Sequence, residues 1–176
     1  MTDTVVEKLD SFQGNDLQEL CEATEEAIRD GSGFGWLTPP PREVLEAHWS
    51  GVLLVPQRHL FIARLEGTVA GSVQLVTPPA NNEAGAHKAR LETFFIAPWA
   101  RGHGLARALL ARVEDHARKL GFMSLDLDVR ATQKDAIRLY ERSGYIRWGI
   151  RPDYALVGGE LIEGYFYSKK LREKQA

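Results

Sequence analysis

The stretch from Leu91 to Leu110, LETFFIAPWARGHGLARALL, constrains this chain more than any other. Leu91 to Ala97 is apolar and aromatic enough for a buried strand. Pro98 ends it, because proline has no N–H to give to a ladder. Arg101-Gly102-His103-Gly104-Leu105-Ala106 is then a short glycine-containing turn that opens directly into a helical run. Such a turn aims unpaired backbone N–H groups outward at a helix start, where the dipole is also positive, and so makes a phosphate site. The plain alternative is an ordinary strand–helix turn.

The rest of the composition narrows the class. The 176 residues suit a single domain over 1–176. A formal charge of −2, with no basic block longer than Lys169-Lys170, argues against a nucleic-acid partner. No apolar run approaches the roughly 20 residues needed to span a bilayer, so no membrane partner is expected. The N-terminus is polar and acidic rather than a secretory signal, and the single Cys21 cannot form an internal disulfide. Together these point to the cytoplasm.

Taken in order, Thr4 to Leu9 reads as a short strand. Residues 16–30 repeat apolar positions at helical spacing behind Asn15 or Asp16 as cap, and 42–54 make a second helix after a proline run. Arg58 to Leu65 and Thr68 to Val76 form a hairpin about Glu66-Gly67. The helix after the opening turn closes at Gly121. Phe122 to Val129 is a strand, residues from Thr132 or Gln133 to Gly144 a helix, and Tyr145 to Ile150 a strand. That order implies a right-handed crossover and a parallel pair. A loop over 151–159 precedes a last strand, Leu161 to Ser168, and 169–176 is a charged, frayed tail.

The order of elements and three local matches resemble the GNAT superfamily of acyl-CoA-dependent N-acetyltransferases. The family's phosphate turn, Arg/Gln-x-x-Gly-x-Gly/Ala after a strand, stands here as Arg101-Gly-His-Gly104-Leu-Ala106, with Pro98 just upstream. The helix pattern Ala-Ile-x-Leu-Tyr followed by Gly-Phe/Tyr stands as Ala136-Ile137-Arg-Leu139-Tyr140 and Gly144-Tyr145. Fainter matches look like the tabtoxin-resistance-type branch. The resemblance implies an α/β fold: a mixed, strongly twisted sheet of about seven strands, with about four helices on both faces, splayed between strands 4 and 5. It implies acetyl-CoA as the acyl donor, coenzyme A as product and no metal. A dimer is the family's habit, and the residues themselves do not fix the oligomeric state.

Site residues follow from the turn and the resemblance together. Backbone from Arg101 through Gly102, His103, Gly104, Leu105 and Ala106 would hold pyrophosphate, and backbone at Phe94, Phe95 and Ile96 would pair with the pantetheine arm as an added strand does. Gln133 stands where many members have an asparagine that contacts that arm. Tyr140 is the general acid by resemblance. A phenol near pKa ~10 is a weaker acid than a thiol near ~8.5, so full transfer to a thiolate is uphill by roughly 2 kcal/mol. A hydrogen bond to the departing sulfur still helps, because charge grows there.

A base is also needed, since only a neutral amine attacks. Glu92 sits early in strand 4, and Asp126 and Asp128 interrupt a strand that should be apolar on both faces. Glu92 and Asp128 would attract an ammonium and relay its proton through water, or else form structural ion pairs with Arg130 or another cation. Phe34 and Trp36, with Trp49 and the 152–160 loop, are the candidate walls of an acceptor pocket, although Trp49 suits the core better. The acceptor is expected to be a small amine such as an amino acid, polyamine or amine antibiotic, attacked directly in a ternary complex. The alternatives are a protein N-terminus or lysine, or a non-catalytic acyl-CoA-binding sensor.

Overall fold

The computed structural model describes residues 1–172. Its elements run β1 (Thr4–Leu9), α1 (Asp16–Arg29), α2 (Arg42–Leu54), β2 (Arg58–Leu65), β3 (Thr68–Val76), β4 (Lys88–Ile96), α3 (Leu105–Lys119), β5 (Ser124–Arg130), α4 (Lys134–Arg142), β6 (Ile146–Val157) and β7 (Glu160–Lys170). Among the described residues there is one seven-stranded sheet, ordered β1-β2-β3-β4-β5-β7-β6. Among the described residues only β4 and β5 pair in parallel.

The alternating pattern of β2 sorts two cores. Leu60 and Ile62 face α1 and α2, packing with Leu20, Ile28, Leu45 and Trp49. Phe61 and Ala63 face the other way, toward Leu105, Leu109 and Val113 of α3. Trp49 is fully buried, and its indole N–H donates to the Thr24 hydroxyl at 3.1 Å. The core reading of Trp49 is therefore the right one.

Three expectations are corrected at the C-terminal end. Residues 151–157 are strand, not loop: β6 continues to Val157 and turns back through Gly158 and Gly159, both at positive φ (58° and 84°), into β7. Two left-handed residues match the twist of a tight hairpin, and Pro152 is tolerated because it falls in the register break between Arg151 and Ala155 of an edge strand. That hairpin places β7 between β5 and β6, so the parallel pair expected of β5 and β6 does not form. Lys169 and Lys170 belong to β7 rather than to a frayed tail; Lys169 Nζ reaches the buried Glu114 carboxylate at 2.7 Å. The remaining tail, 173–176, lies outside the described residues.

The feature that positions the site is the middle of the sheet. β4 and β5 keep register at only three positions, Lys88 with Ser124, Ala89 with Leu125 and Arg90 with Asp126. Beyond Arg90 they part. On its other side β4 slips against β3 between Ser72 and Gln74, and Thr93 sits there at φ 51°. Left-handed backbone is costly for a β-branched residue, so the surrounding packing must hold this bulge in place. Gly71 allows the close approach: a Cβ there would collide with the Phe95 carbonyl and come within 2.7 Å of Ile96 Cδ1. Gly71→Ala is expected to cost about 1–3 kcal/mol by overpacking, read as a lower midpoint in urea unfolding.

Candidate active site

The turn after β4 has the predicted form. A 3-10 turn, Pro98–Ala100, leads through Gly102 (φ 82°) to Gly104 (φ 78°), the left-handed residue that starts α3. The first helical bond there runs from the Ala108 N–H to the Gly104 carbonyl at 3.0 Å. The N–H groups of residues 102–107 meet no protein acceptor among the described residues. Neither glycine has an atom within 4 Å of where a Cβ would stand, so the turn is open toward solvent.

A cleft of about 780 Å³ runs from this turn along Phe94, Phe95 and Ile96 to the start of α4. Five basic side chains line it against two acidic ones. Asp30 is paired with Arg101 at 2.7 Å and Asp135 with Arg138, whereas Arg107, Lys134 and Arg142 carry no ion pair among the described residues. Unpaired N–H groups, a helix start and three free cations suit a polyanion such as the phosphates of coenzyme A. Arg101 is engaged by Asp30, Ser32 and the Ile96 carbonyl, tying the turn to the end of α1. The His103 ring turns back on the Ala100 carbonyl at 3.2 Å and does not line the cleft, so only its backbone fits the predicted role.

A second cavity, of about 550 Å³, opens on the far side of the splay and shares Phe94, Gln133 and Ala136 with the cleft. Gln133 sits at the boundary, its side-chain amide donating to the Gly31 carbonyl at 2.6 Å. Arg130 donates to the same carbonyl at 3.1 Å and to that of Phe34 at 3.2 Å. The loop after α1 is thereby strapped to the end of β5.

Glu92 and Asp128 do meet in this cavity, joined by a cation. Arg90 lies 2.5 Å from Asp128 and 3.6 Å from Glu92, and Arg58 lies 3.0 Å from Glu92. The other oxygen of Asp128 accepts a hydrogen bond from Tyr154. Both acids are thus ion-paired, though not with Arg130. Asp126 faces Lys88 instead, at 3.9 Å.

Tyr140 also lines the second cavity and is 5% exposed. Its hydroxyl makes no hydrogen bond to another described residue. Burial first, then the neighbouring Asp128 and Tyr154, pushes its pKa well above that of a free phenol. Phe34 forms part of the wall, as expected. Trp36 does not: it stacks on Phe34 at 6.2 Å and meets His48 edge-on, behind the lining, while Leu37 faces the cavity.

Arg90, Arg130 and Tyr154 also line the second cavity; of these only Arg90 had no place in the sequence expectations, and Arg130 enters as a strap rather than as the partner of an acid. Arg90 stands two positions before Glu92 and so on the same strand face, a signal that was open to reading. Tyr154 falls in the 152–160 stretch expected beside the acceptor pocket, although Pro152 and the acidic-polar run around it read as loop rather than strand.

The Acetyltransferase (GNAT) family model matches residues 18–145. An uncharacterized N-acetyltransferase from the hisH-hisA intergenic region of Azospirillum brasilense is 56% identical over 134 residues, which are 76% of this chain and 80% of the relative. An N-acetyltransferase from Staphylococcus aureus Mu50 superposes with a TM-score of 0.81 at 17% identity, covering 97% of this chain and 99% of that one. Salmonella typhimurium yncA, solved with its cofactor acetyl-CoA, superposes with a TM-score of 0.78 at 17% identity over 98% and 96% of the two chains.

All five tyrosines have pKa values raised above the ordinary phenol, Tyr167 to about 12, where burial and its bond to Glu141 are the causes. A raised folded value favours the neutral form in the native state, so this stability is fully present below pH ~10 and is lost as pH rises through the folded values. Absorbance titration at about 295 nm should therefore show most tyrosines still protonated at pH ~10, with phenolate appearing together with unfolding above it.

Proposed function

The chain belongs to the acetyltransferase (GNAT) family and is an acetyl-CoA-dependent acyltransferase, and from its site we propose that it acetylates the primary amine of a small molecule by direct attack. One observation carries this reading: the splay beyond Arg90 joins a cleft lined by unpaired N–H groups and cations to a separate cavity that holds Tyr140, Glu92 and Asp128. Acetyl-CoA supplies an acyl carbon activated as a thioester; a C–N bond forms to the amine while the C–S bond breaks.

The residues divide the work. Backbone N–H groups of 102–107 hold pyrophosphate, and Arg107, Lys134 and Arg142 meet the remaining phosphate charge. Past Arg90, β4 has no β5 partner, so its backbone near Phe94, Phe95 and Ile96 is free to pair with the amides of the pantetheine arm. Glu92 and Asp128 give an incoming ammonium a carboxylate-rich seat, and its proton leaves through them or an adjacent water. Tyr140 stays protonated and donates a hydrogen bond toward the sulfur, which ends as a thiol after taking one proton. At about 550 Å³ the second cavity has the size of a small-molecule site, which favours a small acceptor over a protein segment.

Thiol release from acetyl-CoA across a panel of small amines tests this reading; activity only on peptides or proteins would sink it. Tyr140→Phe is expected to lower kcat by about 10- to 1000-fold, as loss of one donor to developing charge does, with little change in KM for acetyl-CoA. Gly104→Val puts a β-branched residue at φ 78° and crowds the open turn. It should abolish the rise in Tm that acetyl-CoA gives the parent protein, a rise of about 2.7 kcal/mol equivalent at one hundred times Kd.

A further inference from the structure

Charges across β4 and β5 run as a ladder. Lys88 pairs with Asp126 and Arg90 with Asp128, each cation on β4 meeting the acid two residues beyond its register partner on β5. One more step of that spacing would set Glu92 against Arg130, with the signs exchanged between strands. The splay opens the ladder at this rung. Glu92 turns instead to Arg58 and Arg90, and Arg130 to two backbone carbonyls, while both line the second cavity.

Arg130 is held but not used up. Its Nη2 serves Gly31 and Phe34, whereas Nε and Nη1, three N–H donors, meet no acceptor among the described residues. A guanidinium fixed from behind, with a free edge, is preorganised to receive a planar anion.

We propose that the acceptor is a zwitterion, an amine that also carries a carboxylate, with its ammonium at Glu92 and its carboxylate on the free edge of Arg130. This rests on the small-molecule reading above and narrows it to amino acids. Such a molecule closes the open rung with one positive and one negative group, so the cavity gains no net charge on binding. A monoamine or polyamine would leave Arg130 facing unneutralised cationic charge.

The test compares each proteinogenic L-amino acid with its decarboxylated amine, following thiol release from acetyl-CoA. At least one amino acid should exceed its matched amine in kcat/KM by about 10- to 100-fold, the range for a hydrogen-bonded charge pair. Arg130→Met should shrink that ratio toward one, and Arg130→Lys should restore part of it, in protein that acetyl-CoA still stabilises thermally. Where Arg130→Met does not fold, competition decides: the matched des-amino carboxylate should inhibit the parent enzyme against the amino acid.

Matched amines that react as well as every amino acid would overturn the zwitterion and leave the small-molecule reading standing. So would an Arg130→Met defect of equal size on both members of a pair, which marks the residue as a strap alone, or a carboxylate that fails to compete. Thiol release with peptides and none with free amines would overturn both readings.

Discussion

Everything at this site depends on β4 and β5 ceasing to pair after Arg90. Breaking a sheet in its interior leaves backbone donors and acceptors without partners, and such groups are costly unless something meets them. Two devices hold the break open. The bulge at Thr93 turns β4 out of register with β3, which Gly71 accommodates by having no side chain. The side chains of Arg130 and Gln133 carry the end of β5 and the start of α4 over to Gly31, so the far wall of the gap is anchored to the loop after α1. The gap is therefore a built feature with cores on both faces, and not a frayed edge.

The charges around the gap are arranged for exchange. The Arg90 side chain is half exposed, while Glu92 is one-third and Asp128 one-fifth exposed. Fully exposed pairs contribute only about 0–1 kcal/mol, and these part-buried ones lie between that case and a fully buried pair. Exchanging Arg90 for an incoming ammonium would keep both carboxylates paired, and so would avoid the penalty of leaving a part-buried charge alone. Asp16 with Arg64, and Glu114 with Lys169, are the contrasting cases: their acids are nearly buried, and they tie elements together far from the gap.

The turn and helix start were legible because their chemistry is backbone chemistry. Proline, two glycines and an apolar helical run specify where N–H groups point whatever the neighbours are. Tyr140 was legible through the helix pattern that contains it. The second cavity was legible in its acids, in Phe34 and in the 152–160 stretch, but not in its cations. Arg90 and Arg130 act across strands, and which cation meets which acid depends on where pairing stops, a tertiary fact with no local signature. Tyr154 reaches Asp128 because β6 continues past Pro152, and a proline beside polar residues normally reads as the end of a strand. Trp36 was misplaced because helical and loop aromatics look alike until the loop's path is known; one residue further, Leu37 takes the wall.

The position of Tyr140 limits what it can do in the proposed reaction. Burial and Asp128 together make its phenol harder to ionise, so a phenolate is a high-energy state at neutral pH. A group that will not give up its proton outright can still stabilise growing negative charge, and it does so best where water is excluded and no protein acceptor competes for its hydrogen. Tyr140 meets both conditions, with its hydroxyl free and its ring packed against Phe94, Tyr145 and Tyr167. In the proposed reaction the proton that ends on the thiol then comes from water or from the ammonium, and only a deprotonated amine attacks, so the acceptor's charge state bears on the rate as well as on binding.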